Sequence, residues 1–493
     1  MLINMALTQL PIPRIEFGSP GTFRDPKTGL TEAGPFDLRF GATRKKEMRV
    51  GLVGNADMLQ KAQQWLNQCR APIPSDIKDS TQYLDFPGFK EAFHTSLIFD
   101  RRSQTEINNG MLEAMLKKDP QPRFEAVLDM YADGVERLAD NTNIRPDIVL
   151  CCLPNDVVQT CWSISKSLTS RQRRLIKIRQ VNREQGQLSL FQDIEETEED
   201  LLNRDFRRAL KARTMKFEIP IQIGTRNLFE DQDTNQDPAT RAWNMSVGIY
   251  YKGGGIPWRF KADGPETCFV GISFHHLRTP SKHLVYSSLA QAFSSRGEGF
   301  ALRGETIDWN ESQGRNVHLT EDQAAALAGQ VLQEYSEQTG ENPKRVVLHK
   351  TSRFDKAEQE GFQHGFRDIP IVELINIMPT QFRLLTYGSY PPRRGTLCTV
   401  NKTATYLFTT GYMPEWRTYP GPHIPAPVKL VSDDDVDMHQ VASDILGLAR
   451  MNWNTASMSS AHPVTLFFSR RVGGIMAEVG PNRKPHPSFR YYM

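Results

Sequence analysis

Short apolar runs alternate with helically spaced patterns over the first half of the chain. MRVGLVGN is a compact apolar strand, and ADMLQKAQQWLNQC places its apolar residues on one helical face. Further strands are predicted at TSLIFD and DIVLCCLP, with a long helical pattern between them from Glu106 to Asp140. After Asn155 the helix VVQTCWSISKSL runs into a charged stretch at 170–200. A helix from about Leu201 to Met215, the strand EIPIQIG and a helix over 239–251 follow. Strands alternating with helices predict an open parallel sheet with helices on both faces.

The pattern changes after KGGGIPW. The strand CFVGISF and the segments HLVYSSLAQAFSS and GFALRGETIDW read as consecutive strands, followed by a helix from Glu321 to Thr339. RVVLHK then leads to the helix FDKAEQEGF. Strands are predicted at IPIVELINI, FRLL, GTLCTV and YLFTT, then the helix VDMHQVASDILGLARM and a late strand PVTLFFS. Antiparallel strands first and strand–helix units afterwards match an RNase H-like order. The chain thus divides into a Pro- and Gly-rich arm or linker at 1–45, an α/β domain at 46–255 and a second α/β domain at 256–493.

Composition leaves this picture intact. At 493 residues, 39% apolar and 24% charged, the chain is an ordinary multi-domain globular protein. The apolar run Ile148–Leu153 is far too short to span a membrane, and MLINMALTQLPIP lacks the features of a secretion signal, so a cytoplasmic protein without membrane contact is expected. The cysteines Cys69, Cys151, Cys152, Cys161, Cys268 and Cys398 have no C-x-x-C spacing and read as core thiols. Net charge is only +3, yet residues 171–183 are strongly basic and 193–200 strongly acidic. That unevenness suits a nucleic-acid groove and a solvated loop equally. Within it, QLSLF at Gln187–Phe191 resembles a sliding-clamp docking peptide, or an apolar anchor for the loop.

Chemistry concentrates around the domain boundary. Arg207 and Lys211 stand four apart on one helical face. Gln222 is read at the C-terminal end of its strand, where open α/β sheets bind ligands, and Asn244 and Lys252 lie on the last helix of the domain. Cations, an amide and a helix terminus suit a terminal phosphate. The plainer alternative is a solvated basic helix face.

The combined pattern RRALK, IPIQI, WN followed by YYKGGGIPW, and FVGISF resembles the MID-to-PIWI junction of Argonaute proteins. The resemblance covers nearly the whole chain and is closest to the short prokaryotic Argonautes, which consist of MID and PIWI alone. It implies a Rossmann-like MID domain with a parallel sheet at 46–255 and an RNase H-like PIWI domain at 256–493. It assigns Arg207, Lys211, Gln222 and Lys252 to the 5′-phosphate of a guide, with Asn244 nearby. Arg207 stands where the family carries Tyr or His, and Gly248 where eukaryotic relatives carry a further lysine. The terminal carboxylate of Met493, at the end of RYYM, is implied to join a Mg²⁺ that also binds the guide phosphate.

The same resemblance places the family's catalytic acids on Ser273, on Thr351 and near Phe468 or Ser469, none of which brings a charge to a two-metal centre. Asp355 and Glu358 read as helix-start residues, Asp433–Asp435 as a capping run, and His349 as a buried core histidine. The implied function is recognition without cutting, in a prokaryotic immune system. A small guide RNA pairs with single-stranded target DNA and switches on a separate APAZ-containing effector bearing a TIR, sirtuin-like or nuclease domain. Two alternatives stay open: an active guided endonuclease using acids such as Asp308, Asp355 or Glu358, and an α/β nucleotide-binding protein holding a free phosphate at Lys211 and Lys252.

Overall fold

The computed structural model describes the chain except residues 1–3, 22, 24, 79–81, 166–202, 231–235, 262, 279–282, 294–298, 309–316, 386, 389, 402–403, 415–424, 457–459, 480–482 and 484. The basic and acidic stretches and Gln187–Phe191 lie outside the described residues.

The first 45 residues hold β1 (Met5–Gln9), β2 (Ile15–Glu16) and helix α1 (Pro26–Ala33). The first unit follows with β3 (Glu47–Gly54), α2 (Ala56–Gln68), β4 (Ser96–Ile98), β5 (Gln104–Glu106), α3 (Asn109–Leu116), α4 (Pro120–Ala139) and β6 (Ile148–Leu153). It ends with the hairpin β7 (Ser163–Ser165) and β8 (Asn203–Asp205), then α5 (Phe206–Thr214), β9 (Ile221–Thr225) and α6 (Pro238–Lys252). Strands β4-β3-β6-β9 pair side by side and all parallel, as the alternating pattern requires. β6 is buried at every position, which explains why it reads as an unbroken apolar run.

The second unit runs β10 (Arg259–Phe260), β11 (Thr267–Arg278), β12 (His283–Phe293), β13 (Gly299–Asp308), α7 (Glu321–Thr339), β14 (Arg345–Lys350), α8 (Lys356–Gly365) and β15 (Ile371–Met378). β16 (Thr396–Val400), β17 (Ala404–Leu407), β18 (Val428–Val431), α9 (Met438–Leu448), α10 (Val464–Phe467) and α11 (Ser469–Val479) complete it. Its nine-stranded sheet has the order β1-β16-β17-β18-β15-β14-β11-β12-β13. β11 pairs antiparallel with β12 and parallel with β14, the predicted mixture of hairpins and crossovers. The α/β class and the MID- and PIWI-like architecture expected from the sequence are both present.

Local chemistry sets the element ends. Asn55, Asp205 and Asp237 cap α2, α5 and α6 through their side chains, and Pro238 opens α6 where no backbone donor is needed. Thr320 with Gln323, and Asp355 with Glu358, form capping boxes on α7 and α8, the helix-start role expected of the two acids.

Several expectations fail for physical reasons. The pattern 106–140 is two helices, because Pro120 cannot continue the first and starts the second. FRLL forms no strand, and PVTLFFS is helical over α10 and the start of α11, since a short apolar run fits either period. Asp437 caps α9 through the backbone amides of His439 and Gln440, so the cap falls two residues after Asp433–Asp435. Gln222 is the second residue of β9, near its N-terminal end, which moves the candidate pocket away from the crevice beyond the strand C-termini.

The arm is woven into both units. β1 pairs with β16 and β2 with β10, while Asp37 accepts from the Tyr250 hydroxyl at 2.7 Å and from the Ile256 amide at 3.0 Å. One apolar core runs from Met48 and Trp243 through Trp258 and Trp453 to Phe489 and Met493. Within it Tyr251 stacks on Trp453 at 4.3 Å, so α6 belongs to both units. All six cysteines are buried and unbridged. No described helix is long and apolar enough to cross a membrane.

Replacing Tyr250 with Phe leaves the Asp37 carboxylate buried with one partner fewer. Urea unfolding should show a loss of about 1–3 kcal/mol; an unchanged midpoint would mean that the arm docks without this bond.

Candidate phosphate site at the domain junction

Lys211 projects from α5 one turn after Arg207, and Lys252 closes the last turn of α6. A cation there meets the negative end of the helix dipole, so α6 contributes a favourable field to the lysine and no N-terminal amides to a ligand. Both side chains are buried, at 8% and 3% exposure, a rare position for lysine. Lys252 Nζ donates to Gln222 Oε1. Lys211 Nζ donates to the main-chain oxygens of Tyr492, at 3.3 Å, and of Met493.

What surrounds these two ammonium groups is positive. Burial pushes Lys211 well below the usual lysine range, helped by Lys252, Arg207 and Arg471, with Asp205 a weaker opposing influence. Lys252 falls to about 7 through burial and the fields of Arg207 and Arg471. No Asp or Glu side chain among the described residues pairs with either lysine. Four cationic groups converge on one pocket, where the two lysines meet the Gln222 amide oxygen and the oxygens of Tyr492 and Met493. Such a pocket is built to receive an anion.

The structure brings Arg207, Lys211, Gln222 and Lys252 together. Arg207 is exposed and contributes charge, with no ring for a base to stack on. Asn244 serves elsewhere: its Oδ1 accepts from the Ala456 amide at 2.9 Å and ties α6 to the second unit. Arg471, on α11, has no signal of its own in the sequence, because PVTLFFS reads as a strand and leaves the arginines after it with no helix to stand on. The Met493 residue expected to join a Mg²⁺ with a guide phosphate has an oxygen bonded by Lys211 Nζ, so an ion there would share that group with the ammonium.

The positions assigned to catalytic acids lie together. β11 and β14 pair through Gly271–His349 and Ile272–Lys350; Ser273 follows in the middle of β11, paired with Ser288 of β12, and Thr351 is the first residue after β14. Phe468 is buried against Phe489, at 5.0 Å, and Ser469 begins α11; neither stands on a strand. Asp308 ends β13. His349 is buried and bonded to Thr465 Oγ1 at 2.9 Å, its pKa lowered to about 3 by burial and by Arg345.

Glu358, Asp355 and His318 do gather, with ligand atoms within 4.8 Å of one another. The Lys350 ammonium, however, sits on both Glu358 oxygens at 2.5 and 2.6 Å. Side chains alternate along β14, so Lys350 points opposite to His349, and Gly271 and Ser273 share the His349 side. These acids therefore lie across the sheet from Ser273. A separate cavity of about 690 Å³ near the start of α6 includes Asp237, whose carboxylate is already bonded to Ser75, Asp76 and Thr240.

Comparison of the whole fold places it. The chain superposes on Clostridium butyricum Argonaute, solved with a guide DNA and a 19-mer target DNA, with a TM-score of 0.64 at 15% identity, covering 96% of this chain and 53% of that one. The fold is Argonaute-like. A. aeolicus Argonaute matches with a TM-score of 0.55 at 15% identity over 97% of this chain and 54% of that one. Drosophila Piwi matches with 0.55 at 10% identity over 99% and 56%. The chain thus spans about half the length of these Argonaute-fold structures. No protein-family profile matches the sequence, and no curated protein matches it.

The depressed Lys252 has a measurable consequence. Unfolded, this lysine keeps its proton up to about 10.5; folded, only up to about 7. Between those values the unfolded chain binds more protons, so the penalty shrinks and stability climbs as pH rises. From pH about 7 to about 8.5, below the range of tyrosine ionisation, the melting temperature should rise relative to that of Lys252→Gln. Parallel profiles would mean that Lys252 is not held in this environment.

Proposed function

We propose that this chain is a guide-dependent nucleic-acid recognition subunit of a prokaryotic immune system. It holds a small guide, an RNA, by its 5′-phosphate at Lys211, Lys252, Gln222 and Arg207. Base pairing then reads a single-stranded DNA target, as in other guided systems. The observation that carries this reading is the pair of buried lysines with no Asp or Glu side chain paired with them among the described residues. A terminal phosphate carries about −1.5 to −2 charges at neutral pH, whereas an internal diester carries one. Four converging cations therefore favour the end of a strand over its middle.

Ser273 and Thr351 offer hydroxyls where two-metal cleavage needs carboxylates, so the target is bound and left intact. The chemistry that answers binding belongs to a separate effector subunit, an APAZ-containing protein with a TIR, sirtuin-like or nuclease domain. That partner and the RNA guide with DNA target rest on the resemblance to short prokaryotic Argonautes. Lysines and arginines along the channel contact the duplex backbone, which makes target affinity fall with salt.

Replacing Lys211 and Lys252 together with Ala should weaken binding of a 5′-phosphorylated RNA, by about 1.5–3 kcal/mol for each charge-assisted hydrogen bond removed. Direct titration against the same RNA with a 5′-hydroxyl provides the control, which should change little. Equal affinity of the double variant and the unaltered chain for the phosphorylated RNA would sink the assignment. With Mg²⁺ or Mn²⁺ and a matched DNA target, the guide-loaded chain should bind tightly and release no cleavage product. Target cleavage would favour the endonuclease reading instead.

A further inference from the structure

α11 crosses from the second unit onto α5 of the first, and the two helices meet in reverse order. Near its start Arg471 reaches the field of Lys211, Lys252 and their pocket. One turn later Gly474 lies under the Arg208 guanidinium, where an added Cβ would stand 2.9 Å from Cζ. At the far end the Glu478 carboxylate accepts from Arg204, at 3.1 Å from Nε and 3.0 Å from Nη2. Residues 471, 474 and 478 fall on one face of α11; across from them Arg208 and Lys211 belong to α5, and Arg204 to β8 just before it.

Electrostatics alone would drive this contact apart. Arg471 carries a further positive charge toward two buried lysines, and before an anion arrives that approach is repulsive. Two features oppose it. The guanidinium rests over the Phe467 and Phe468 rings, at 5.1 and 5.6 Å. The ion pair between Glu478 and Arg204, which also engages Glu125, anchors the opposite end of the same helix. Arg204 is itself steadied over the Phe124 ring at 4.8 Å.

We propose that Glu478 and Arg204 are positioning residues that hold α11 against α5, so that Arg471 reaches the phosphate pocket from the second unit. The pocket then reads a terminal phosphate only when the two units are correctly docked, and discrimination for the phosphate is a property of their interface. This inference rests on the phosphate-pocket reading and adds to it the residues that set its geometry.

The test uses the full chain and one short synthetic RNA carrying either a 5′-phosphate or a 5′-hydroxyl, with affinity measured for each at fixed salt. The unaltered chain prefers the phosphate. Glu478→Gln should lose about tenfold of that preference, with affinity for the hydroxyl form unchanged and a cooperative melt retained. Glu478→Asp, which keeps the charge, should recover part of the preference. Arg204→Gln should behave as Glu478→Gln does, and decides the matter if the latter fails to fold. An intact preference in a folded Glu478→Gln or Arg204→Gln variant overturns the proposal, as does an equal loss for both RNAs, which would signal general unfolding of the groove. If the unaltered chain shows no preference at all, the pocket reading itself falls, and this inference with it.

Discussion

Two ammonium groups buried in one pocket, with arginines beside them and no Asp or Glu side chain paired with them among the described residues, are the constraint around which this molecule is arranged. Taking a charge out of water costs several kcal/mol even after the protein relaxes, and placing like charges together adds to it. The lowered affinities of Lys211 and Lys252 for protons express that cost. A structural ion pair would have answered it with an acid, as Glu373 and Asp444 answer the buried Arg345 elsewhere in the same chain. Here no Asp or Glu side chain among the described residues does so, and an anion with more than one charge would.

Holding such a pocket open requires a rigid frame, and the frame comes from both units. α6 supplies Lys252 at its last turn and, one residue earlier, the Tyr251 ring that stacks on Trp453 of the second unit. Gly254, at φ +112°, then turns the chain in a conformation that a side chain would strain. The segment ending in Tyr492 and Met493 packs into the shared core and presents its main-chain oxygens to Lys211. The arm reinforces the same junction through Asp37, bonded to Tyr250 and to the amide of Ile256. The candidate pocket and the docking of the two units are thus one piece of structure.

Much of this is legible in the sequence, because the signals that carry it are local. Alternating apolar runs specify the parallel sheet, since a strand buried on both faces, such as Ile148–Leu153, must be apolar throughout. Capping residues mark α6 and α8 in the same way. The pocket lysines stand out because one helix face and one helix end carry them. What the sequence conceals are features without a local signature. PVTLFFS has no period long enough to separate strand from helix, and without that helix Arg471, Gly474 and Glu478 have no common face. Nothing local tells Asn244 to bond Ala456, since that partner lies 212 positions away. The arm reads as a linker because its strands are two to five residues long and their ladders form with distant segments.

The positions expected to carry catalytic acids follow the same logic. Ser273 lies within β11 and Thr351 directly follows β14, its parallel neighbour, and each offers a neutral hydroxyl. The acids that do gather, Glu358 and Asp355, face the opposite side and are already engaged with Lys350 and a helix start. Positive charge gathers at the junction, and hydroxyls stand at the positions expected to carry acids. The most direct test is to purify the chain from a cellular source, extract whatever nucleic acid travels with it, and label the extract at its 5′ ends with and without prior phosphatase. The account predicts short oligonucleotides of narrow length that accept label only after phosphatase. Mononucleotides alone, or strands that label equally well without phosphatase, would contradict it.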